Sequence, residues 1–321
     1  MKPAISILMS IYNETESWIK QSIESVLTQT MQDFEFIIVG DNPNRPDVEK
    51  IVNSYGDSRI IYLQNEQNIG LALSMNRAAA IASTDVYVRM DADDIADPTR
   101  LQKEFEIIKE GKYDLIFSQF TYIDENSKNI DRLPQPYYPP EGLSRQVLLR
   151  PIIHHPTVMF TKSIFEQAGG YRDFPCSQDL DLWFRMAEAG CRFYMINAPL
   201  LKYRVTNKST TSTRWFQQHL TEHYIYELSI ERLKNNGKDS FSKGHYHDYL
   251  ISHGLNSEHS SKALKKAQHN LSRARKEYQS GNKMKAFCLR FRVLAGSSAM
   301  RRLYVNMLKK RFLIKKLNIC K

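Results

Sequence analysis

Short apolar runs alternate with helical hydrophobic spacing along the first third of the chain. Residues 5–9, 34–39, 60–63 and 86–88 have the length and composition of buried β-strands. After each of these runs, apolar residues recur at intervals of three and four, which is typical of an amphipathic helix. Alternating strands and helices favour right-handed βαβ units. We therefore predict an α/β fold with a mainly parallel, Rossmann-like sheet flanked by helices.

A different pattern follows these four strands. Residues 115–123 and 158–160 are predicted to be extended, and residues 178–189 have helical spacing. From residue 214 onward the sequence predicts helices and no strand. A proline-rich loop that could arch over a site contains Pro134, Pro136, Pro139 and Pro140.

Polar residues that directly follow strands are the first candidates for a functional site. In parallel sheets, ligands bind where the carboxyl ends of strands meet the loops. Tyr12 and Asn13 follow the first strand, Asp41 follows the second, and residues 91–94 follow the fourth. Ser10, Tyr12 and Asp41 could contact a base or a ribose, and the alternative for each is a turn or a partly buried position.

The segment Met90-Asp91-Ala92-Asp93-Asp94 places three carboxylates within four residues, directly after an apolar strand. Such carboxylates repel one another unless a cation offsets their charge. Mg²⁺ and Mn²⁺ prefer oxygen ligands and commonly join one or two carboxylates to a phosphate group. The alternative is a solvated acidic turn that precedes the next predicted helix.

A second acidic pair lies within residues 178–183, in the sequence QDLDLW. Because Asp179 and Asp181 are two residues apart on a predicted helix, their side chains point in different directions. One can face a cleft while the other caps the helix or pairs with Arg185. The alternative for both is a structural role near a helix N-terminus, where acidic residues are favoured.

Adjacent His154 and His155 are a third candidate site. Two histidines could bind a metal, but neighbouring side chains diverge on a strand. Ordinary polar or core positions are therefore the alternative interpretation for both residues.

Charge is unevenly distributed along the chain. The 321 residues carry a formal net charge of +10. Residues 262–321 hold 18 Lys and Arg and one acidic residue, Glu277, whereas the other 261 residues hold 27 basic and 34 acidic residues. The protein is therefore an acidic body with a strongly basic tail, and the net value describes neither part.

Composition also bears on the cellular compartment. No apolar run approaches the ~20 residues that span a bilayer. The apolar stretch near the N-terminus is too short for a signal peptide. The four cysteines form no CxxC pair and no zinc-ligand cluster, which fits a reducing compartment. We therefore expect a cytoplasmic protein.

Taken in order, these motifs resemble those of a family-2 glycosyltransferase, a nucleotide-sugar-dependent enzyme of the GT-A fold. The resemblance extends over about residues 3–205. It rests on ISILMSIYNE at 5–14, FIIVGDN at 36–42, NIGLA at 68–72, NR at 76–77, DADD at 91–94 and QDLDLW at 178–183. Each motif alone is short and common, whereas the combination is specific.

The resemblance implies a nucleotide-sugar site at the carboxyl ends of the strands. Tyr12 would stack near the uracil of a UDP-sugar, and Asp41 would accept a hydrogen bond from the base. The implied nucleotide-binding residues are Ser10, Tyr12, Glu14, Asp41, Arg77, Asp91 and Ala92. A divalent metal ion, Mn²⁺ or Mg²⁺, would be held with the sugar diphosphate by Asp91, Asp93 and Asp94.

The resemblance also implies a catalytic base. Asp179 matches the carboxylate that serves as base in inverting members. His155 and Trp183 mark a possible metal or acceptor site.

Two positions depart from the family pattern. Gly40 stands where an acid is often found, and Gln178 stands where Glu is common, which removes a charge beside Asp179 and should make it easier to ionise.

On this resemblance, residues 1–213 form the catalytic domain, with a nucleotide-binding half over 1–97 and an acceptor-side half over 98–213. Residues 214–321 form a helical, basic C-terminal region. The implied reaction moves a hexose from a UDP-sugar to a hydroxyl of a lipid-linked saccharide acceptor, with inversion, in bacterial polysaccharide or O-antigen biosynthesis.

The basic tail suggests a second partner. Lys309, Lys310 and Arg311 stand beside apolar Leu308 and Phe312. A basic amphipathic helix of this kind can lie on an anionic lipid surface, which would make the enzyme peripheral on the inner face of the cell membrane. The alternatives for residues 262–321 are a helical hairpin packed on the catalytic body or a contact within an oligomer.

Two other functions are open at this level. A metal-dependent phosphatase could use the acidic motif, but such motifs usually continue with Thr or Val, and here Asp94 follows. A non-catalytic nucleic-acid-binding protein could use the basic tail, but it leaves the acidic pattern before residue 205 unexplained. No nucleic-acid-binding motif is present, so we expect no nucleic-acid partner.

Overall fold

The structure is a computed structural model that describes residues 3–206, 214–255, 258–296 and 298–316. Contacts within the chain divide it into two compact units, which meet in sequence close to residue 210. The domain boundary predicted at residue 213 falls at the edge of residues 207–213, which lie outside the described part of the chain.

The first unit is built on a sheet of nine strands within its described residues. The strands are β1 Ile5–Ile11, β2 Phe34–Gly40, β3 Ile60–Gln64, β4 Val86–Asp91, β5 Ile95–Ala96, β6 Leu115–Ile123, β7 Asn129–Ile130, β8 Val158–Thr161 and β9 Phe193–Arg204. Their order is β3-β2-β1-β4-β8-β6-β9-β5, with β7 paired to β6. Strands β3, β2, β1 and β4 are parallel neighbours, and β8 joins them antiparallel.

Helices cover this sheet and bury its apolar positions. They are α1 Glu16–Leu27, α2 Pro46–Asn53, α3 Leu71–Ile81, α4 Arg100–Ile108, α5 Leu143–Leu149, α6 Lys162–Gln167 and α7 Gln178–Glu188. Helix α1 begins where the Thr15 side chain accepts a hydrogen bond from the Trp18 N–H, and it turns Ile19, Ile23 and Val26 toward the sheet. The predicted α/β fold with a mainly parallel, helix-flanked sheet is confirmed.

Burial explains why the sequence pattern predicts these strands. Every residue of β1 and of β2 is buried, since these strands are covered on both faces. Alternate positions of β1, β2 and β4 share one core with α1, α2 and α4. The register places Ser10 opposite Asp91 and Ile11 opposite Gly40, so β1, β2 and β4 end at the same edge.

Strand β9 is the main element that the hydrophobic pattern did not predict. It runs parallel to β6 with a register irregularity near Gln119, and its last residues pair with β5. Asn197 and Pro199 interrupt its apolar alternation, so the hydrophobic pattern does not indicate a long strand here. The strand matters because it ends at Tyr203 and Arg204, beside the acidic segment.

The second unit is helical within its described residues, as predicted. Its helices are α8 Trp215–Lys234, α9 Lys243–Ser252, α10 Glu258–Gln279, α11 Lys283–Gly296 and α12 Ser298–Lys316. Helix α12 packs on α8, and α10 packs on α11. Within the described residues, no helix combines the length and apolar character needed to cross a membrane.

Candidate active site

Three carboxylates meet at the carboxyl end of β4. One oxygen from each of Asp91, Asp93 and Asp94 lies within 4.8 Å of the others. Asp94 is fully buried, Asp91 and Asp93 are partly exposed, and Ala92 between them is part of the core. The sequence-predicted acidic motif is therefore a compact cluster with one side open to a ligand.

Burial and mutual repulsion disfavour the ionised forms of Asp93 and Asp94. Burial, followed by the charge of Asp91, raises the pKa of Asp93 to about 7. Burial and the neighbouring aspartates also hold the pKa of Asp94 well above its usual range. Asp94 Oδ2 is buried with no hydrogen-bond partner among the described residues. These features fit a divalent cation with oxygen ligands, because a cation would favour the ionised forms of Asp93 and Asp94.

Glu14 belongs to the same acidic region. Its Oε2 accepts a hydrogen bond of 2.7 Å from the backbone N–H of Tyr12, which follows β1. Burial raises the pKa of Glu14, and the charge of Asp91 adds to this effect. The Tyr12 ring is 44% exposed and is therefore available for stacking, whereas Ser10 is buried at the end of β1.

Arg204, at the end of β9, holds the acidic segment in place. Its backbone N–H donates to Asp94 Oδ1 at 2.8 Å, and its Nε donates to the carbonyl of Asp93 at 2.7 Å. The same guanidinium donates to the Asp124 carbonyl and to Gln21 Oε1. The side chain is almost fully buried. No local pattern pointed to Arg204, because its partners lie far away along the chain.

Tyr203, one residue earlier, also adjoins the cluster. Burial raises the pKa of its hydroxyl, and the charges of Asp94, Asp91, Asp93 and Asp179 act in the same direction. Its ring packs against Phe120, Tyr122 and His154 at centroid distances of 5.6–6.1 Å. Tyr203 therefore forms an aromatic boundary of the site that the sequence did not reveal.

Arg89 is a buried cation behind the acidic cluster. Its guanidinium donates to Asp91 Oδ1 and to the carbonyl of Met90. The side chain is 1% exposed. Its charge acts to lower the pKa of both Asp94 and Asp179, although burial outweighs it. An arginine inside an otherwise apolar strand is a signal that a sequence search could have used.

Asp179 lies in the first turn of α7, after Ser177 in the left-handed backbone region at φ 57°. Burial raises the pKa of Asp179 to about 6, while backbone N–H groups at the helix start oppose that shift. The charge of Asp91 raises the same pKa, so the structure brings Asp179 and the acidic cluster together. Burial outweighs the easier ionisation that Gln178 was expected to provide.

Asp181 has a structural role. It is fully buried and accepts from Arg172 Nε and Arg185 Nε, each at 2.9 Å. The predicted pairing of one acid with Arg185 is therefore confirmed, and the side chain that makes it is Asp181. Asp179 makes no comparable ion pair among the described residues.

His155 and Trp183 pack against each other. His155 Nε2 lies 2.7 Å from the hydroxyl of Tyr171, and its ring centroid is 6.0 Å from that of Trp183. Burial, with the nearby Arg89, holds the pKa of His155 well below its usual range. Within the described residues, the group with metal-binding geometry contains the three aspartates and not this histidine.

Asp41 organises the loop between β3 and α3. Its Oδ1 accepts from Asn65 Nδ2 at 2.7 Å and from the Ile69 N–H at 2.9 Å, and its Oδ2 accepts from the Gly70 N–H at 2.9 Å. Arg77 is linked to this network through the side chain of Asn65. Asp41 is 3% exposed. Because Oδ1 accepts two of these bonds and Oδ2 accepts one, Oδ2 has the larger remaining capacity to accept a ligand's hydrogen bond.

Gly40, where an acid was expected from the family pattern, lies beneath two polar side chains. A Cβ at residue 40 would lie 2.7 Å from Gln64 Oε1 and closer still to the hydroxyl of Tyr62. Tyr62 donates to Gln64 Oε1 at 2.5 Å, and Gln64 Nε2 donates to the Gly40 carbonyl at 3.0 Å. The Tyr62–Gln64 pair thus occupies the space that an acidic side chain would need.

Comparison with known proteins agrees with this geometry. Glycosyl transferase family 2 matches residues 6–169. An uncharacterized glycosyltransferase of Methanocaldococcus jannaschii is 37% identical over 237 residues, which are 73% of this chain and 82% of that protein. The O-antigen biosynthesis glycosyltransferase WbnJ of Escherichia coli is 29% identical over 237 residues, or 72% of this chain and 91% of that protein.

A solved structure shows the same fold. The structure of TarS from S. aureus aligns with a TM-score of 0.59 and 16% identity, covering 98% of this chain and 55% of that one. The phosphatase and the nucleic-acid-binding alternatives do not account for these matches. The chain has the GT-A fold and belongs to glycosyl transferase family 2.

Proposed function

We propose that the protein transfers a hexose from a UDP-sugar to a hydroxyl of a saccharide acceptor, with inversion at the anomeric carbon. One observation carries this proposal: oxygens of Asp91, Asp93 and Asp94 lie within 4.8 Å of one another at the end of β4, and the buried carboxylate of Asp179 stands within reach of the charge of Asp91. The site thus combines clustered oxygen ligands with a separate carboxylate. Metal-assisted sugar transfer needs both at one place.

The nucleotide would bind at the ends of β1 and β2. The exposed Tyr12 ring supports stacking on the uracil, and Asp41 Oδ2 supports a hydrogen bond from the base. Arg77 is exposed near Asn65 and supplies positive charge at the same edge. Because Tyr62 and Gln64 fill the space above Gly40, we propose that they replace the acid that the family pattern often has there.

Asp91, Asp93 and Asp94 would hold a divalent metal ion, Mn²⁺ or Mg²⁺. When bound, such an ion neutralises charge on the diphosphate leaving group. Arg204 contributes by fixing the backbone of Asp93 and one oxygen of Asp94, so the ligands need little rearrangement. Glu14 is held at the same edge by the Tyr12 N–H.

Asp179 would act as the general base. As the acceptor oxygen attacks the anomeric carbon, its proton passes to the Asp179 carboxylate, and the bond to UDP breaks on the opposite face of the sugar. A base with a pKa of about 6 is ionised at neutral pH and remains basic enough to take the proton. Such assistance contributes roughly 10²–10⁴-fold to the rate.

The acceptor is proposed from the relatives. Similar proteins are named for O-antigen biosynthesis in Escherichia coli, for amylovoran biosynthesis in Erwinia amylovora and, as a putative enzyme, for teichuronic acid biosynthesis in Bacillus subtilis. We propose a lipid-linked saccharide of a surface polysaccharide. His155 and Trp183 would support the acceptor side through packing. The basic tail would keep the enzyme at an anionic membrane on its cytoplasmic side.

Binding and turnover of the full chain test the proposal. Thermal unfolding with Mn²⁺ is measured against UDP-glucose, UDP-galactose and UDP-N-acetyl sugars, and the stabilising donor is then used for transfer. Asp179→Asn should bind UDP as the wild type does and lose transfer by roughly 10²-fold or more. Asp33→Asn, at an exposed position, is the matched control. Absence of stabilisation by every donor, or near-normal turnover of Asp179→Asn, would contradict the proposal.

A further inference from the structure

Helix α11 has two apolar faces, and only one of them is covered. Ala286, Leu289 and Val293 are buried within the second unit. On the opposite side, Met284, Phe287 and Phe291 are 74%, 67% and 66% exposed. Their spacing of three and four residues puts these three side chains in one stripe along the helix. Such large apolar side chains rarely stand together in water without a partner.

Basic side chains border this stripe on both sides. At the angular spacing of an α-helix, Lys283 and Arg290 lie next to the stripe on one side, and Lys285 and Arg292 lie farther round the helix on the other side. All four are exposed. Lys285 forms an ion pair of 2.6 Å with Glu277 of α10, so that carboxylate offsets part of its charge. The stripe and its four basic neighbours are called the α11 surface below.

Helix α12 repeats the arrangement. Tyr304, Leu308 and Phe312 are 51%, 49% and 66% exposed at four-residue spacing. Lys310 is buried, with Nζ 4.8 Å from the Tyr226 ring, so the Lys309-Lys310-Arg311 run is not one continuous basic face. The exposed bases of this helix include Lys309, Arg311, Lys315 and Lys316.

The charge of this region selects the partner. Residues 283–316 contain eleven Lys and Arg and no acidic residue. An apolar stripe between rows of bases matches the boundary of an anionic bilayer, where acyl chains lie beneath phosphate groups. Long basic side chains can extend from the margin to those phosphates while the stripe is immersed.

We propose that the α11 surface docks on a bilayer of anionic phospholipid, with Met284, Phe287 and Phe291 inserted at the level of the acyl chains. The stripe of α12 adds a second contact of the same kind. This inference rests on the proposed function and names its membrane contact, since a lipid-linked acceptor requires the enzyme to work at that surface. The bases supply attraction to phosphate, and the stripe supplies burial of apolar area.

Vesicle binding of the full chain tests this surface. Co-sedimentation is measured with phosphatidylcholine vesicles and with vesicles that also contain phosphatidylglycerol. The wild type should bind the anionic vesicles, and Phe287→Ser with Phe291→Ser should weaken that binding by about tenfold or more. Replacing Lys283, Lys285, Arg290 and Arg292 by Gln should remove most of the preference for anionic vesicles. Leu133→Ser, at a site 88% exposed in the first unit, is the matched control and should bind as the wild type does.

Two further readouts separate this surface from the active site and from other occupants. The Phe287→Trp variant should show blue-shifted fluorescence with anionic vesicles and quenching by brominated acyl chains, which demonstrates insertion. The serine variant should keep its thermal stabilisation by a UDP-sugar, whereas failure of the proposed function would abolish that stabilisation in every variant. Unchanged vesicle binding of the serine variant would overturn the proposal. So would a wild type that is dimeric and a serine variant that is monomeric, or displacement of the vesicles by RNA.

Discussion

The backbone N–H of Arg204 donates a hydrogen bond to Asp94 Oδ1 across 110 positions of sequence. This bond joins the end of β9 to the acidic segment after β4. The Arg204 side chain then binds the carbonyl of Asp93. The arrangement of the acidic cluster therefore depends on a strand that enters the sheet much later in the chain.

Replacing Arg204 should disturb the acidic cluster before it disturbs the rest of the fold. Arg204→Lys cannot donate in several fixed directions, so buried acceptors at Asp93, Asp124 and Gln21 would lose partners. We expect the unfolding free energy to fall by roughly 1–3 kcal/mol and Mn²⁺ binding to weaken. Denaturant titration and calorimetry measure the two effects. Arg150→Lys, at an exposed position, is the control, and equal metal affinity in the two variants would contradict the role of Arg204.

Metal binding should depend on pH in the neutral range. The pKa of Asp93 is raised to about 7 by burial and by Asp91, so protons compete with the metal below that pH. We expect Mn²⁺ affinity to fall by up to about tenfold per pH unit as the pH decreases below about 7. Calorimetry in matched buffers checks this. An affinity that is constant between about pH 5 and 8 would show that Asp93 is not a ligand.

The catalytic rate should rise with pH as Asp179 ionises. Its pKa of about 6 in the folded protein predicts an acidic limb of kcat/KM near that value, and bound metal moves the limb toward lower pH. Gln178→Glu adds a negative charge beside the base and should shift the limb upward by about one unit. A pH–rate profile of both proteins measures the shift. A limb that stays in place in the Glu variant would argue against Asp179 as the titrating group.

The two aspartates of α7 should respond in opposite ways to removal of their charge. The folded-state pKa of Asp179 is raised, so its ionised form opposes folding above about pH 6, and Asp179→Asn should stabilise the protein there by up to about 3 kcal/mol. Asp181→Asn removes the buried carboxylate that pairs with Arg172 and Arg185 and should lower the unfolding free energy by roughly 3–5 kcal/mol. Denaturant unfolding at about pH 8 compares them, and a loss of stability in both would contradict the assignment.

Introducing an acid at residue 40 should cause a steric clash with neighbouring side chains. Gly40→Asp would force Tyr62 and Gln64 from their positions and should destabilise the protein by about 1–3 kcal/mol. Adding Tyr62→Ala should recover part of that loss by opening the space. Unfolding measurements on the two single variants and the double variant test the coupling. Strict additivity would show that Tyr62 is not the obstacle.

Local pattern was enough to predict much of the fold. The runs that became β1 and β2 are continuous and apolar because both faces of the sheet are covered there, so burial left a signal in the sequence itself. The acidic segment could be predicted as a site because it follows such a strand directly. Strand β9 could not, since Asn197 and Pro199 break its alternation and its pairing is long-range.

By itself, the sequence determined where β1 to β4 lie along the chain, the position of the acidic motif and the concentration of bases in the tail, because spacing and composition are local properties. Only the tertiary structure decided that Asp181 pairs with two arginines, whereas Asp179 forms no comparable ion pair among the described residues. It also buried Lys310 and exposed Phe287 and Phe291. The physical reason is that a side chain's charge state and exposure depend on neighbours brought together by folding, and spacing along the chain does not encode them.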